Sequence, residues 1–419
     1  MQRIKDDLKD MAGGCASFVK WAALAAAVGV VVGAAAVVFH WGIDLATELR
    51  VSRPWLIWLL PVGGMAIVAL YKLCGMEYDR GTNLVLVAVR DAEAIRLRVA
   101  PLILVSTVLT HLVGGSAGRE GAALQLGGSM AAYAGRKLRL DEKDERVMVM
   151  CGMAAAFSAL FGTPITAAVF AMEVVSVGVM YYAAFVPCMI ASASGLLLAQ
   201  AMGLHGMVGY IIGPVAALSA VNLVRTAVLG VLCALVSVFF CRTMRLGHKL
   251  YKKYIPNPLL RAAVGGALVL ALTLLLGHQL YSGAGDGLIR RLLAGETRPE
   301  AFLLKILLTA LTLGAGFRGG EIVPALCTGC AFGTWVGPML GLPHGFSGAL
   351  GMGAVFCGAT NCPLTAILLS YELFGGKGMV LYSLCCAVSY MLSGYYGLYS
   401  EQKIMYSKFK TELINKKAQ

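Results

Sequence analysis

The sequence predicts an all-α polytopic membrane protein made of two repeated halves of tilted and broken helices. Three observations predict it: charge is scarce and bunched, apolar runs reach bilayer length, and a block of the first half recurs in the second. Charged residues are 14% of the 419, against about 25% in an average soluble domain. Residues 174–224 hold no Asp, Glu, Lys or Arg over 51 positions, and residues 322–371 hold none over 50. A water-soluble chain of this size needs more polar surface, and a disordered one is less hydrophobic.

Taken in order, residues 1–16 read as a cytoplasmic segment. They are mixed in charge, and no short apolar stretch with a small-residue cleavage site follows. The runs 21–43, 99–118, 147–172, 262–285 and 378–400 each reach the roughly 18–20 apolar residues that cross a bilayer. Gly or Pro interrupt the apolar sequence at Gly114-Gly115, Gly127-Gly128, 162–164, 314–320 and 361–363. Broken helices are tolerated at membrane depth only where freed backbone groups are buried or line a polar cavity. The breaks therefore mark the pathway, and several segments are expected to be re-entrant. The net charge of +13 concentrates in Arg242, Arg245, Lys249, Lys252 and Lys253, and in a basic tail over 401–419. Basic clusters beside spans mark the cytoplasmic side, which places both termini inside. They are too short and too close to spans for nucleic-acid binding.

The halves, 17–203 and 204–400, are related by sequence. Residues 152–174 read GMAAAFSALFGTPITAAVFAMEV and residues 351–373 read GMGAVFCGATNCPLTAILLSYEL. Phe157, Pro164 and Glu173 recur as Phe356, Pro363 and Glu372. Upstream, Gly118, Glu120 and Gly128 recur as Gly319, Glu321 and Gly329. Repeats with broken helices are a signature of transporters, with the site at the repeat interface.

Two motifs carry the chemistry. Gly118-Arg119-Glu120-Gly121 opens a helical run, and the first free amides of a helix attract anions. A carboxylate at Glu120 is an internal anion that competes with an external one and yields when it takes a proton. Gly320-Glu321-Ile322-Val323-Pro324 is the counterpart, and Glu321 is the only acid of a long hydrophobic stretch. Intramembrane acids are costly and mark function. Glu173 and Glu372 each end an apolar helix and read as caps. Twelve Cys lie mostly in apolar stretches. Cys327 and Cys330 have no second pair at metal-ligand spacing, so they read as packing residues, and neither metal nor cofactor is expected.

These residues resemble the CLC family of chloride channels and anion/proton antiporters, over about 19–399. The resemblance implies a homodimer, each subunit an inverted-topology repeat with its own anion pathway, and it makes Glu120 the gating glutamate. The anion would be held by Gly118, Arg119, Gly121 and Ala122, by Thr82 and Asn83, by Gly320, Ile322 and Val323, and by Tyr399, with Tyr396 as the alternative. Chloride members carry G-S-G-I-P where this chain has Gly81-Thr82-Asn83-Leu84-Val85, and G-x-F-x-P where it has Gly320 to Pro324. Their second acid is Val174 here, and their proline after the gating motif is Ala122. No cystathionine-synthase-like domains are expected in the 20 or so residues after Tyr399. These departures resemble the fluoride-exporting branch.

The function implied is therefore fluoride/proton antiport, exporting fluoride across a bacterial plasma membrane and conferring fluoride resistance. Glu321 would take a proton and fluoride together. The alternative is a chloride/proton antiporter or a voltage-gated-type chloride channel of the same family. A cation/proton antiporter fits the acids but not the glycine-rich helix starts. A membrane enzyme fits poorly, since H-E-x-x-H and G-x-S-x-G do not occur and His40, His111, His205, His248, His278 and His344 are scattered.

Overall fold

Glycine and proline cut the apolar sequence before its length can form simple spans. The computed structural model describes residues 2–77, 79–91, 93–204, 206–207 and 209–419, without the side chains of 2–10. His205 lies outside these residues. The described part of the first half contains α1 (Gln2–Ser52), α2 (Leu60–Leu73), α3 (Thr82–Asp91), α4 (Val99–Leu112), α5 (Glu120–Lys137), α6 (Glu142–Phe161), α7 (Pro164–Glu173) and α8 (Phe185–Ala201). The second contains α9 (Ala220–Tyr254), α10 (Pro258–Leu276), α11 (Asp286–Leu293), α12 (Ala301–Ala315), α13 (Ile322–Met339), α14 (His344–Thr360), α15 (Pro363–Phe374) and α16 (Met379–Leu392). Eight helices thus answer eight in the same order among the described residues. The chain is a multi-pass membrane protein: Met11–Ser52, Pro54–Leu73, Tyr182–Ala201, Ala220–Tyr254, Pro258–Leu276 and Ile322–Met339 are long and apolar enough to cross.

Four of the five expected apolar runs are not single helices. The run 147–172 is split where α6 closes on Gly162 in the left-handed region (φ 77°) and Pro164 starts α7. The runs 99–118, 262–285 and 378–400 stay helical only to Leu112, Leu276 and Leu392. Pairs of helices meet backbone to backbone at repeat-related places, where Gly127, one residue before the Gly128 that the sequences align, answers Gly329. A Cβ on Gly127 of α5 would lie 2.2 Å from the Gly152 carbonyl oxygen of α6, and one on Gly329 of α13 would lie 2.2 Å from that of Gly351 of α14. Only glycine allows such an approach, as small residues generally do between helices in membranes.

The halves are locked together by reciprocal caps. Glu173, the last residue of α7, accepts from the first-turn amides of α15, Leu364 N at 3.1 Å and Thr365 N at 2.8 Å, and from the Thr365 hydroxyl at 2.5 Å. Glu372 of α15 accepts from Ile165 N at 3.0 Å and Thr166 N at 2.9 Å, on α7. Both glutamates cap helices, and each caps the other half's.

The basic tail is folded, which its sequence did not announce. Within it β2 (Lys403–Tyr406) and β3 (Leu413–Lys417) pair antiparallel, and β2 runs parallel to β1 (Ser176–Val177). Gln402 donates to the carbonyls of Val174 and Thr360 at 2.9 and 2.8 Å. Lys408 donates to Asn361 Oδ1, Tyr390 O and Ser393 Oγ. These bonds satisfy carbonyls and side chains freed where α7, α14 and α16 end, so the tail closes breaks in the helical framework.

Candidate anion site

The two motif loops meet in the middle of the molecule. Gly118 and Gly320 form an antiparallel bridge, Gly118 N donating to Gly320 O at 2.7 Å and Gly320 N to Gly118 O at 2.6 Å. Each loop then turns into a helix, α5 at Glu120 and α13 at Ile322, so two helix N-termini lie at one point. First-turn amides have no intrahelical acceptor, and their partial charges add to the helix dipole.

Glu120 fills that point. Its fully buried side chain accepts through Oε2 from Arg119 N at 3.0 Å and from Val323 N at 3.4 Å, one amide from each helix start. Oε1 has no hydrogen-bond partner. The carboxylate therefore sits where an external anion would, on donors that suit one. Arg119 and Glu120 are only loosely paired, Nε to Oε1 at 3.8 Å. Arg119 instead donates from Nη1 to His40 Nδ1 at 2.6 Å, and it lies 3.9 Å from Asp44 and 4.0 Å from Asp286. Since a guanidinium only donates, Nδ1 is the accepting nitrogen of His40, and Nε2 faces Asp44 at 2.9 Å.

Glu321 stands at the same junction, just before the first turn of α13. It precedes α13, is partly exposed, and makes no capping bond to the helix. Arg245, Cys241 and Tyr399 stand within electrostatic range of it. The Glu120 carboxylate packs against Gly320, one residue before Glu321. Ala122, Ile322 and Val323 are buried beside them and keep water from the amides.

Thr82 and Asn83 open α3 against this junction. The Thr82 hydroxyl donates to Gly121 O at 3.2 Å, and a Cβ on Gly121 would touch Thr82 Oγ1 and Gly320. Asn83 Oδ1 accepts from Glu401 N at 3.1 Å, leaving its NH₂ group as the available donor. Tyr399 is buried and within electrostatic range of Glu120 and Glu321. Tyr396 is elsewhere. Its ring lies under the Arg242 guanidinium at 5.2 Å and lines a cleft of about 370 Å³ with Arg242, Arg245, Leu246, Lys249 and Gln419. The structure thus brings residues 118–122, 320–323 and Thr82 together, with Asn83 next along α3 and bonded to Glu401, and it sets Tyr396 apart.

Several residues there were not expected from sequence. Gln125, one turn after Gly121, donates to Gly121 O at 3.1 Å and to Thr82 Oγ1 at 3.4 Å. Lys305 is fully buried in α12 and uses three donors, to Ser116 Oγ at 3.1 Å, Tyr281 O at 3.1 Å and Gly283 O at 2.7 Å. It was visible as the one cation of an apolar helix, a signal as strong as that of an intramembrane acid.

Comparison with known proteins agrees with this geometry. A chloride/fluoride channel protein of Pseudomonas syringae pv. tomato is 37% identical over 396 residues, covering 93% of this chain and 87% of that one. The crystal structure of a CLC-type fluoride/proton antiporter superposes with a TM-score of 0.88 at 34% identity, over 92% of this chain and 98% of that one. A slow cyanobacterial chloride/proton antiporter shares the fold, with a TM-score of 0.74 at 19% identity over 89% and 94% of the two chains. The voltage gated chloride channel family profile matches residues 63–394, so the chain belongs to that family, the CLC family.

Proposed function

We propose that the protein is a fluoride/proton antiporter that exports fluoride from the cytoplasm on the proton gradient. It would work as a homodimer in a bacterial plasma membrane, with both termini cytoplasmic. One observation carries the reading: two acids stand at one pair of helix starts, and only one of them holds the amides. Glu120 occupies the amides of Arg119 and Val323, while Glu321 next to it holds no capping bond.

Fluoride is small and strongly hydrated, so it needs strong donors in place of water. Its bonds are short and charge-assisted. The amides under Glu120, the Asn83 NH₂ group and the Tyr399 hydroxyl supply them once Glu120 is protonated and withdraws. Thr82 joins when its hydroxyl leaves Gly121 O. A protonated Glu321 adds an O–H donor, whereas an ionised one repels any anion. Proton and fluoride binding are then positively linked, each raising the affinity for the other. Arg242, Arg245 and Lys249 in the cleft beside Tyr396 raise the local anion concentration at the cytoplasmic mouth. The relatives' names, chloride/fluoride channel protein and fluoride/proton antiporter, support the same ion.

The need for such a transporter follows from acid–base chemistry. Hydrogen fluoride enters cells neutral and dissociates inside, and a proton-driven exporter answers that load. The test is Glu321→Gln in proteoliposomes with an imposed pH gradient. The mutant should bind fluoride and fail to move it uphill; undiminished uphill transport would sink the mechanism. Chloride in the same vesicles separates the chloride reading, which requires comparable coupled chloride flux.

A further inference from the structure

We infer that Arg50 and His111, backed by Lys305, form a second halide site over Gly283, sharing no residue with the seat filled by the Glu120 carboxylate. Arg50 lies in the last turn of α1 and is only 5% exposed, yet its Nε and Nη1 have no hydrogen-bond partner. No carboxylate of the described residues pairs with it. Buried charges elsewhere in proteins are paired and hydrogen-bonded, because desolvation is expensive. A buried guanidinium with two idle donors therefore points to an anion.

The bare face of Gly283 lies against the guanidinium fork. A methyl carbon placed on Gly283 would lie 3.6 Å from Arg50 Nη2, 3.8 Å from Arg50 Nη1 and 3.7 Å from His111 Cδ2. That is ordinary contact distance, so no side chain stands between the glycine and the fork. A halide drawn towards the fork gains charge-assisted bonds from Arg50. His111 is held by Nδ1 donating to Thr107 O at 2.9 Å, which turns the positive ring edge at Cδ2 to the same space. Its Nε2, the accepting nitrogen of that tautomer, is buried without a partner, so only the carbon edge of the ring serves an anion.

Gly283 is fixed from both sides. Its N–H donates to Gly115 O at 2.9 Å, and its carbonyl accepts from Lys305 Nζ at 2.7 Å. That second bond turns the carbonyl oxygen to the lysine. Lys305 adds a second positive charge, and the acids of the neighbourhood, Asp44, Glu120 and Asp286, lie 3.9, 3.8 and 4.0 Å from Arg119. The same lysine bonds Ser116, two residues before Gly118, so the site is one ammonium away from the Glu120 turn. Its service as a way-station for the exported ion rests on the transport reading; the binding does not.

The test is calorimetric titration of the purified protein with sodium fluoride and, separately, sodium chloride. Arg50→Met should lower the halide stoichiometry by about one per chain, while Arg50→Lys should keep the event at reduced affinity. The halide that loses the event in Arg50→Met is the one the site takes. Gly283→Ala keeps every cation and sets a methyl against the fork, on a backbone (φ 67°) that alanine adopts only under strain; in its folded fraction it should lose the same event, and it serves beside Arg50→Met. Unchanged stoichiometry for both halides in a folded Arg50→Met or Gly283→Ala protein overturns the site. An Arg50-dependent event in a wild-type protein without coupled fluoride export upholds the site and sinks the transport reading.

Discussion

Removing Glu173 tests whether the paired glutamates at 173 and 372 are caps or proton carriers. The Glu173 carboxylate accepts three bonds from Leu364 and Thr365, and it is buried. Bonds to a charged group contribute about 1.5–3 kcal/mol each. Three on one carboxylate do not add, and measured losses for single helix caps run about 0.5–2 kcal/mol. Glu173→Ala leaves two amides and a hydroxyl unpaired in a buried place, which sets the loss at about 3–5 kcal/mol. Glu173→Gln keeps one acceptor for Thr365 but turns an NH₂ group on the Leu364 amide, so about half of that is lost. Glu372 makes two bonds and is more exposed; Glu372→Gln should cost about 1–2 kcal/mol. Thermal unfolding in detergent should rank wild type above Glu372→Gln, and that above Glu173→Gln. Proton-to-fluoride ratios in vesicles at permissive temperature should match in all three. A Glu173→Gln protein that melts like wild type but loses proton coupling would refute the cap reading.

Glu120→Gln removes the internal anion while keeping its shape. It should raise fluoride affinity and leave a passive fluoride flux that no pH gradient drives uphill, measured with a fluoride electrode on loaded vesicles. Gly152→Ala places a methyl 2.2 Å from the Gly127 carbonyl oxygen. It should separate α5 from α6 at about 1–3 kcal/mol or more, seen as lost monodispersity on size exclusion. In the tail, Glu401 is held below the ordinary carboxylate range by its hydrogen bond to Lys417, opposed by partial burial. A lowered folded-state value means the contribution is present above the unfolded value and lost as pH falls through the folded one. Amide exchange in β2 and β3 should therefore accelerate in acid below the carboxylate range, and Glu401→Gln should exchange at neutral pH as wild type does in acid.

The framework was legible because the sequence writes it twice. Pro164 and Pro363, Glu173 and Glu372, Glu120 and Glu321 each fix one copy of a local feature, and helix breaks follow from Gly and Pro chemistry. Which helix each cap serves was not legible, since Glu173 reaches α15, which begins 190 residues on, through a fold that periodicity does not encode. Lys305 is legible as the one cation of α12, but its burial and its bonds to Ser116, Tyr281 and Gly283 come from elements distant in sequence. Arg50 lies in the last turn of a long apolar helix and reads in sequence as an interfacial cation; its burial comes from packing against Gly114, Ile57 and Gly283. The tail strands escaped because KIMY and LINKK are short and charged, and what holds them is Gln402 and Lys408 reaching the end of α14.

The crossed caps also bear on how the chain is made. A ribosome completes α7 about 200 residues before it reaches Glu372. At about 5–20 residues per second that is roughly 10–40 s. Through that interval the first amides of α7 have no carboxylate, in a chain already entering the bilayer. The insertion machinery, or lipid headgroups and water near the surface, must satisfy them, so α7 should settle at its final depth only after α15 arrives. Neither half can then mature as a free-standing module, and a duplicated ancestor's two copies have become each other's last folding step.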